Sequence, residues 1–238
     1  MTAPIVPVIP PNESGTLQYV YCSDEDIAVR AGGDFSLLCP KWQKLAYGAD
    51  GVFQASDPWT LTSGTAAFDQ AGFGPGYIVL LTQPRTRFKG SGELFGVALP
   101  PAPQAITLRR LIATPQGMPP GLPGSTLPSV EFTVLTMMPQ IEAATFWCNQ
   151  TYGIFPQTAG RRPTDADDLR DLKDFVVLTV ICRRLVAEVQ DKFNASWGLK
   201  LQHYQNELSA VTSRIQLRWA PPGAVPPPST FFSMSVSR

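Results

Sequence analysis

The sequence predicts an α+β protein, in which a helical scaffold is interrupted by a β-rich insertion and extended arms project from both ends. Three observations predict it. Short β-like runs punctuated by glycine and proline fill residues 51 to 136. In the C-terminal half, apolar residues recur at three- and four-residue steps, the period of a helix. Prolines crowd the two ends, at 4, 7, 10 and 11 and again at 221, 222, 226, 227 and 228, and proline blocks both helix interior and central strand. The chain therefore divides into an N-terminal arm (1–18), a helical scaffold (19–49 with 137–219), a β-rich insertion (50–136) and a C-terminal arm (220–238).

The first helix is expected to open at Ser23. Asp24, Glu25 and Asp26 follow it, and acids favour the positive end of a helix. Gly32 and Gly33 break that helix. Asp34 then begins a second apolar run through Tyr47, closed by Gly48, with Pro40 as its kink or its true start.

At Asp50 the texture changes. Strands are expected at Trp59–Thr62, Thr65–Phe68, Tyr77–Thr82, Gly92–Leu99, Ala105–Leu111 and Val130–Thr136. Short runs at this spacing suggest a small antiparallel barrel or sandwich. The stretch from Pro115 to Pro128 carries five prolines and three glycines. It is expected to project as a long loop with a contact role.

Helix returns at Pro139, with Ile141, Ala144, Thr145, Cys148 and Tyr152 near one face and Gly153 as its stop. Thr164 caps the next helix, with Asp165, Asp167 and Asp168 in its first turn. Leu169, Leu172, Val176, Val180 and Leu185 form its stripe, and its middle is apolar nearly all round. That pattern marks the central core helix. After Gly198, Leu201, Tyr204, Leu208, Val211 and Ile215 give an amphipathic last helix. The short connection makes the last two helices antiparallel neighbours.

Lysine plus arginine equals aspartate plus glutamate, 19 each, and only 16% of residues are charged. The usual share is about a quarter. So few charges with no net charge favour a surface covered by neighbouring chains. The balance argues against a protein whose main task is gripping nucleic acid. Cys22, Cys39, Cys148 and Cys182 lie far apart; Cys39 and Cys182 sit in apolar runs and read as buried thiols, and a reducing compartment without structural disulfides is expected. The proline-broken N-terminus has no secretory pattern. Phe175–Cys182 is too short to span a bilayer, so a soluble protein made in the cytoplasm is expected.

No catalytic constellation emerges. His203 is the one histidine, and it lacks the partners a triad or a metal site would need. Gly90-Ser-Gly92 lacks the Gly-Lys-Ser/Thr ending of a phosphate loop. The Gly72-to-Gly76 run contains Pro75 and leads into a strand, so a dinucleotide reading fails as well. The acids from Asp165 to Asp174 have helix-start spacing rather than that of a calcium loop. Glu142 and Glu188 have no partner carboxylate at a readable spacing. Neither an enzyme nor a cofactor is expected. Among the basic pairs, Arg109-Arg110, Arg161-Arg162 and Arg183-Arg184, interleaved acids cancel any sustained patch. Arg161, Arg162, Arg183 and Arg184 therefore read as subunit or partner contacts.

The C-terminal arm carries the clearest functional signal. Beyond its proline spacer stand Phe231, Phe232, Met234 and Val236, apolar residues with no local partners. They read as a docking peptide for a pocket on another chain. The alternative is a tail that folds back onto its own domain or stays disordered.

Asp167-Asp-Leu-Arg-Asp-Leu172 opening the core helix, Tyr204-Gln-Asn-Glu-Leu-Ser-Ala-Val211 in the last helix, the long segment between helices and the extended arm together resemble the head-to-tail adaptors of tailed bacteriophages. Residues 137 to 238 carry most of the resemblance, and the β-rich insertion departs from the minimal all-helical adaptors. The resemblance implies a structural virion protein of the neck or tail, forming a homo-oligomeric ring, a dodecamer, beneath the portal protein. It implies that Phe231, Phe232, Met234, Val236 and Arg238 dock into the portal. The β-rich unit would meet tail nozzle or tail fibre proteins, and Arg161 and Arg162 would make non-specific DNA contacts if they line the channel. No membrane is involved. The competing expectation is a fibre-attachment or glycan-binding module built on residues 51 to 136, with Trp59, Phe73 and Tyr77 as stacking candidates or, in the plainer reading, as barrel core.

Overall fold

The computed structural model describes residues 20–88, 90–112, 118–155, 169–192 and 195–217. Both expected arms lie outside these residues. So do Thr164, Asp165, Asp167 and Asp168.

The insertion is a closed six-stranded antiparallel barrel. Its strands are β1 (Lys44–Gln54), β2 (Asp57–Thr62), β3 (Ile78–Gln83), β4 (Glu93–Val97), β5 (Ala105–Arg110) and β6 (Leu127–Leu135). They run around the barrel in the order β1-β2-β5-β4-β3-β6. β1 closes it by pairing with β2 on one side and β6 on the other, and its register with β6 shifts three times. Such bulges bend a strand and raise its twist, as a small barrel requires. The interior is filled by Phe53, Leu61, Val79, Leu81, Phe95, Val97, Ile106, Leu108, Val130, Phe132 and Val134. Phe68 and Phe73, from the β2–β3 connection, and Phe88, from the β3–β4 connection, join this core at opposite mouths.

β3 shows why its sequence, Ile-Val-Leu-Leu, does not alternate. Val79 and Leu81 face the barrel interior, while Ile78 and Leu80 pack against the helices. Both faces are covered, so both are apolar. On β4, a Cβ at Gly96 would stand 2.9 Å from Glu25 Oε1, so glycine there lets α1 approach the strand.

The helical layer comprises α1 (Asp24–Ala31), the four-residue α2 (Phe35–Leu38), α3 (Met138–Tyr152), α4 (Leu169–Lys192) and α5 (Ala195–Arg214). α4 is buried from Phe175 through Cys182 and again at Leu185, as expected of the core helix. α5 packs along it, and the Arg214–Asp171 pair at 3.2 Å joins the end of one to the start of the other. Arg30–Glu207 at 2.9 Å, Lys200–Asp34 at 2.6 Å and Lys173–Asp26 at 2.5 Å tie α5 and α4 to the N-terminal helices. These pairs are half exposed and set register more than stability.

At Ser23 the backbone N–H donates to Asp26 Oδ2 at 2.9 Å, the acid-side half of a capping box. Gly153 ends α3 at φ 65°, the left-handed conformation that glycine adopts without strain. Cys22, Cys39, Cys148 and Cys182 are all free and buried.

Several expectations are corrected. The helix expected from Asp34 to Tyr47 ends at Leu38, and Lys44–Tyr47 belongs to β1, so the barrel begins before residue 50. Pro40 decides this, because the residue before a proline is pushed out of the helical region; Cys39 sits at ψ 126°. Thr65–Phe68 is not a strand. The Asp50 carboxylate accepts the Gly64 and Thr65 amides at 2.9 and 3.0 Å, and Ser63 Oγ accepts that of Ala66 at 3.1 Å. Side chains thus replace the ladder. The described part of the 115–128 stretch does not project. Gly121 N–H donates to Pro58 O at 2.9 Å, Leu122 packs on the barrel core, and Arg87 and Arg110 hold the Pro119 and Met118 carbonyls at 2.7 and 2.9 Å. Gly198 lies inside α5, not ahead of it.

Candidate interaction surface

On α3, Ile141, Ala144, Thr145 and Cys148 turn inward. With helical spacing fixed by those positions, Phe146 and Trp147 fall outside the buried stripe. Phe146 is 63% exposed and Trp147 40%. The Trp147 indole stacks on Phe175 of α4 at 5.1 Å and 24° between ring planes. The Arg183 guanidinium lies over the same indole at 5.1 Å. Phe155, just past the end of α3, and Val186 on α4 are exposed as well. The result is an aromatic face with one cation on a rigid helix pair. A stacked indole under a guanidinium has little conformational freedom left to lose on binding.

A second exposed aromatic pair stands where the chain enters the barrel: Trp42 is 80% exposed and Tyr47 75%. Between α1 and the β4–β5 edge lies a shallow groove of about 200 Å³, lined by Ala28, Val29, Gly32, Gly33, Leu94 and Ile112 among others. Small-molecule sites usually measure 300 Å³ or more.

Of the residues singled out from sequence, Arg183 stands on the aromatic face. Arg184 is turned inward. Its Nε donates to Leu38 O at 2.7 Å, completing the C-terminus of α2, and Nη2 reaches Glu188 at 3.3 Å. Phe231, Phe232, Met234, Val236, Arg238, Arg161 and Arg162 lie outside the described residues. Of the three stacking candidates, Phe73 and Tyr77 pack in or against the barrel core, their rings 6.2 Å apart. Trp59 is half-buried. Sequence reasoning missed Phe146 and Trp147. Two adjacent aromatics between Thr145 and Cys148 cannot both lie on a narrow buried stripe, and that was the available signal.

His203 is 67% exposed on α5, with Nε2 3.7 Å from Glu207 Oε1. Burial pushes the Cys39 and Cys148 thiols up to about 12 and Cys182 to about 11, so all three stay protonated at neutral pH. Among the described residues no group of three or more His, Cys, Asp or Glu could hold a metal ion. No helix among them is long and apolar enough to cross a membrane. No protein-family model, curated protein or solved structure matches this chain.

Proposed function

We propose that this chain is a structural virion protein, a head-to-tail adaptor that forms a ring beneath the portal and joins the capsid to the tail. The observation that carries the reading is the aromatic face of Phe146, Trp147 and Arg183. Tryptophan and arginine dominate the energetic centres of protein interfaces. A protein with 16% charged residues and zero net charge gains solubility when such a face is covered. A ring closes through heterologous contacts, in which one face of each subunit meets a different face of the next. The face on α3 and α4 supplies one side of such a contact. The arm from residue 220 onward supplies the link to the portal, and repeated weak arm contacts around a ring act by avidity.

Removing residues 221–238 should abolish binding to a purified portal ring while leaving the circular dichroism of the fold intact. A Phe146→Ser/Trp147→Ser variant should instead keep the arm contact and lose contact between subunits. Unchanged portal binding by the truncated chain sinks the docking-arm assignment. Unchanged self-association by the double variant removes the aromatic face from the interface.

A further inference from the structure

Asp24 is the first residue of α1, where the sequence suggests an acid that favours the positive end of the helix. The structure buries it completely, at 0% exposure. Its Oδ1 accepts the Met137 N–H at 2.6 Å, at the turn that leads from β6 into α3. Its Oδ2 is buried without a partner. Two further side-chain oxygens tied to the same turn share that condition, Gln43 Oε1 and Gln140 Oε1. Gln43 is held there by Thr136 N–H donating to its carbonyl at 3.2 Å, and Gln140 by its own N–H donating to Met137 O at 2.9 Å. Three side-chain oxygens of residues at this seam are thus buried without a hydrogen-bond partner. Leaving a buried polar atom unpaired is costly. One proton on Asp24 removes the charge that an incompletely paired, fully buried carboxylate would carry.

We propose that Asp24 is a proton-operated latch between α1 and the barrel-to-α3 turn: the neutral acid closes the seam, and ionisation loosens it. No Lys, Arg or His among the described residues pairs with this carboxylate to hold it ionised. The titratable groups around it are Cys22 ahead of α1, Cys39 after α2 and Tyr77 before β3. The charges facing those groups are Asp26 on α1, Lys44 on β1, Glu142 on α3, and Lys173 and Arg184 on α4. Burial raises the Asp24 carboxyl from 3.8 to about 7, against the opposing pull of the Met137 N–H and the Thr136 hydroxyl.

The sign of the linkage follows. Below the unfolded value both states are protonated and Asp24 adds no pH dependence. Between the two values the folded state holds a proton that the unfolded state releases. Stability therefore falls as pH rises through this window, by up to about tenfold in the folding equilibrium per pH unit. Above the folded value the loss levels off.

The test compares the full-length chain with Asp24→Asn by urea unfolding between pH 5 and pH 8, alongside a carbon-13 titration of the Asp24 carboxyl in the unsubstituted protein. Asparagine keeps the acceptor for Met137 and supplies a permanent donor in place of the acid proton. The latch predicts that the variant gains on the unsubstituted chain by at least tenfold in the folding equilibrium between pH 5 and pH 8, and that the carboxyl titrates near neutrality. Parallel pH profiles, or a carboxyl titrating below pH 5, overturn it. Should the variant fail to fold, the carboxyl titration alone decides.

Discussion

Replacing Phe132 with alanine is expected to lower the unfolding free energy by about 3–5 kcal/mol, the usual loss for a fully buried aromatic. That is a large share of the stability of about 5–15 kcal/mol typical of a folded domain. Phe132 is fully buried in the barrel, paired across β6 with Gly48 of β1 and Leu81 of β3, and its ring lies 5.5 Å from that of Phe68. It also fills the space Gly48 leaves, since a Cβ there would stand 2.8 Å from the ring. The two positions are complementary, and this gives the prediction a second arm. Gly48→Ala should be costly in the native background and markedly less so beside Phe132→Ala. A double-mutant cycle by urea unfolding should show coupling of about 1 kcal/mol or more. Additive losses would mean that the ring does not occupy that space.

Gly51→Ala should destabilise by about 1–3 kcal/mol, the range for forcing an atom into a packed core. Glycine-to-alanine in a strand ordinarily stabilises, so the sign is diagnostic. A Cβ at Gly51 would lie 2.7 Å from the Val130 carbonyl oxygen and 2.8 Å from Leu61 Cδ1. The carbonyl belongs to the neighbouring strand and cannot rotate away as a side-chain tip would. Gly33→Ala is the control, because nothing lies within 4 Å of its added carbon. It should be neutral or slightly stabilising when both variants are compared with the unsubstituted protein by thermal melts. A neutral Gly51→Ala would contradict the close approach of β1 and β6 on which closure of the barrel depends.

The five strands from β2 to β6 were legible because short apolar runs and turn residues bound them. β1 was not. Leu45, Ala46 and Tyr47 continue the apolar texture of Phe35–Leu38, and the break at Pro40 between them carries the correct boundary. β1 is also the strand that closes the barrel, so sequence left barrel and sandwich unresolved. The core helix α4 and the stop at Gly153 were readable because burial on all sides and a left-handed cap each have a local signature. Asp24 was not, since its neighbours Glu25 and Asp26 make an ordinary acidic helix start. Only the tertiary approach of Met137 separates it from them. For the interaction surface, the sequence pointed to Arg183, and the fold added the indole beneath it. Arg184, adjacent in sequence, is spent on the α2 terminus, a division set by helical phase at the α2–α4 contact.

Mass is the direct readout of the proposed assembly onto a portal. Native mass spectrometry or light scattering would be run on the full-length protein alone and with a portal ring. An adaptor is expected to add to the portal in a fixed ring stoichiometry, and to do so only with residues 221–238 present. A stable monomer or trimer that ignores the portal would contradict it and favour a fibre-type or glycan-binding module.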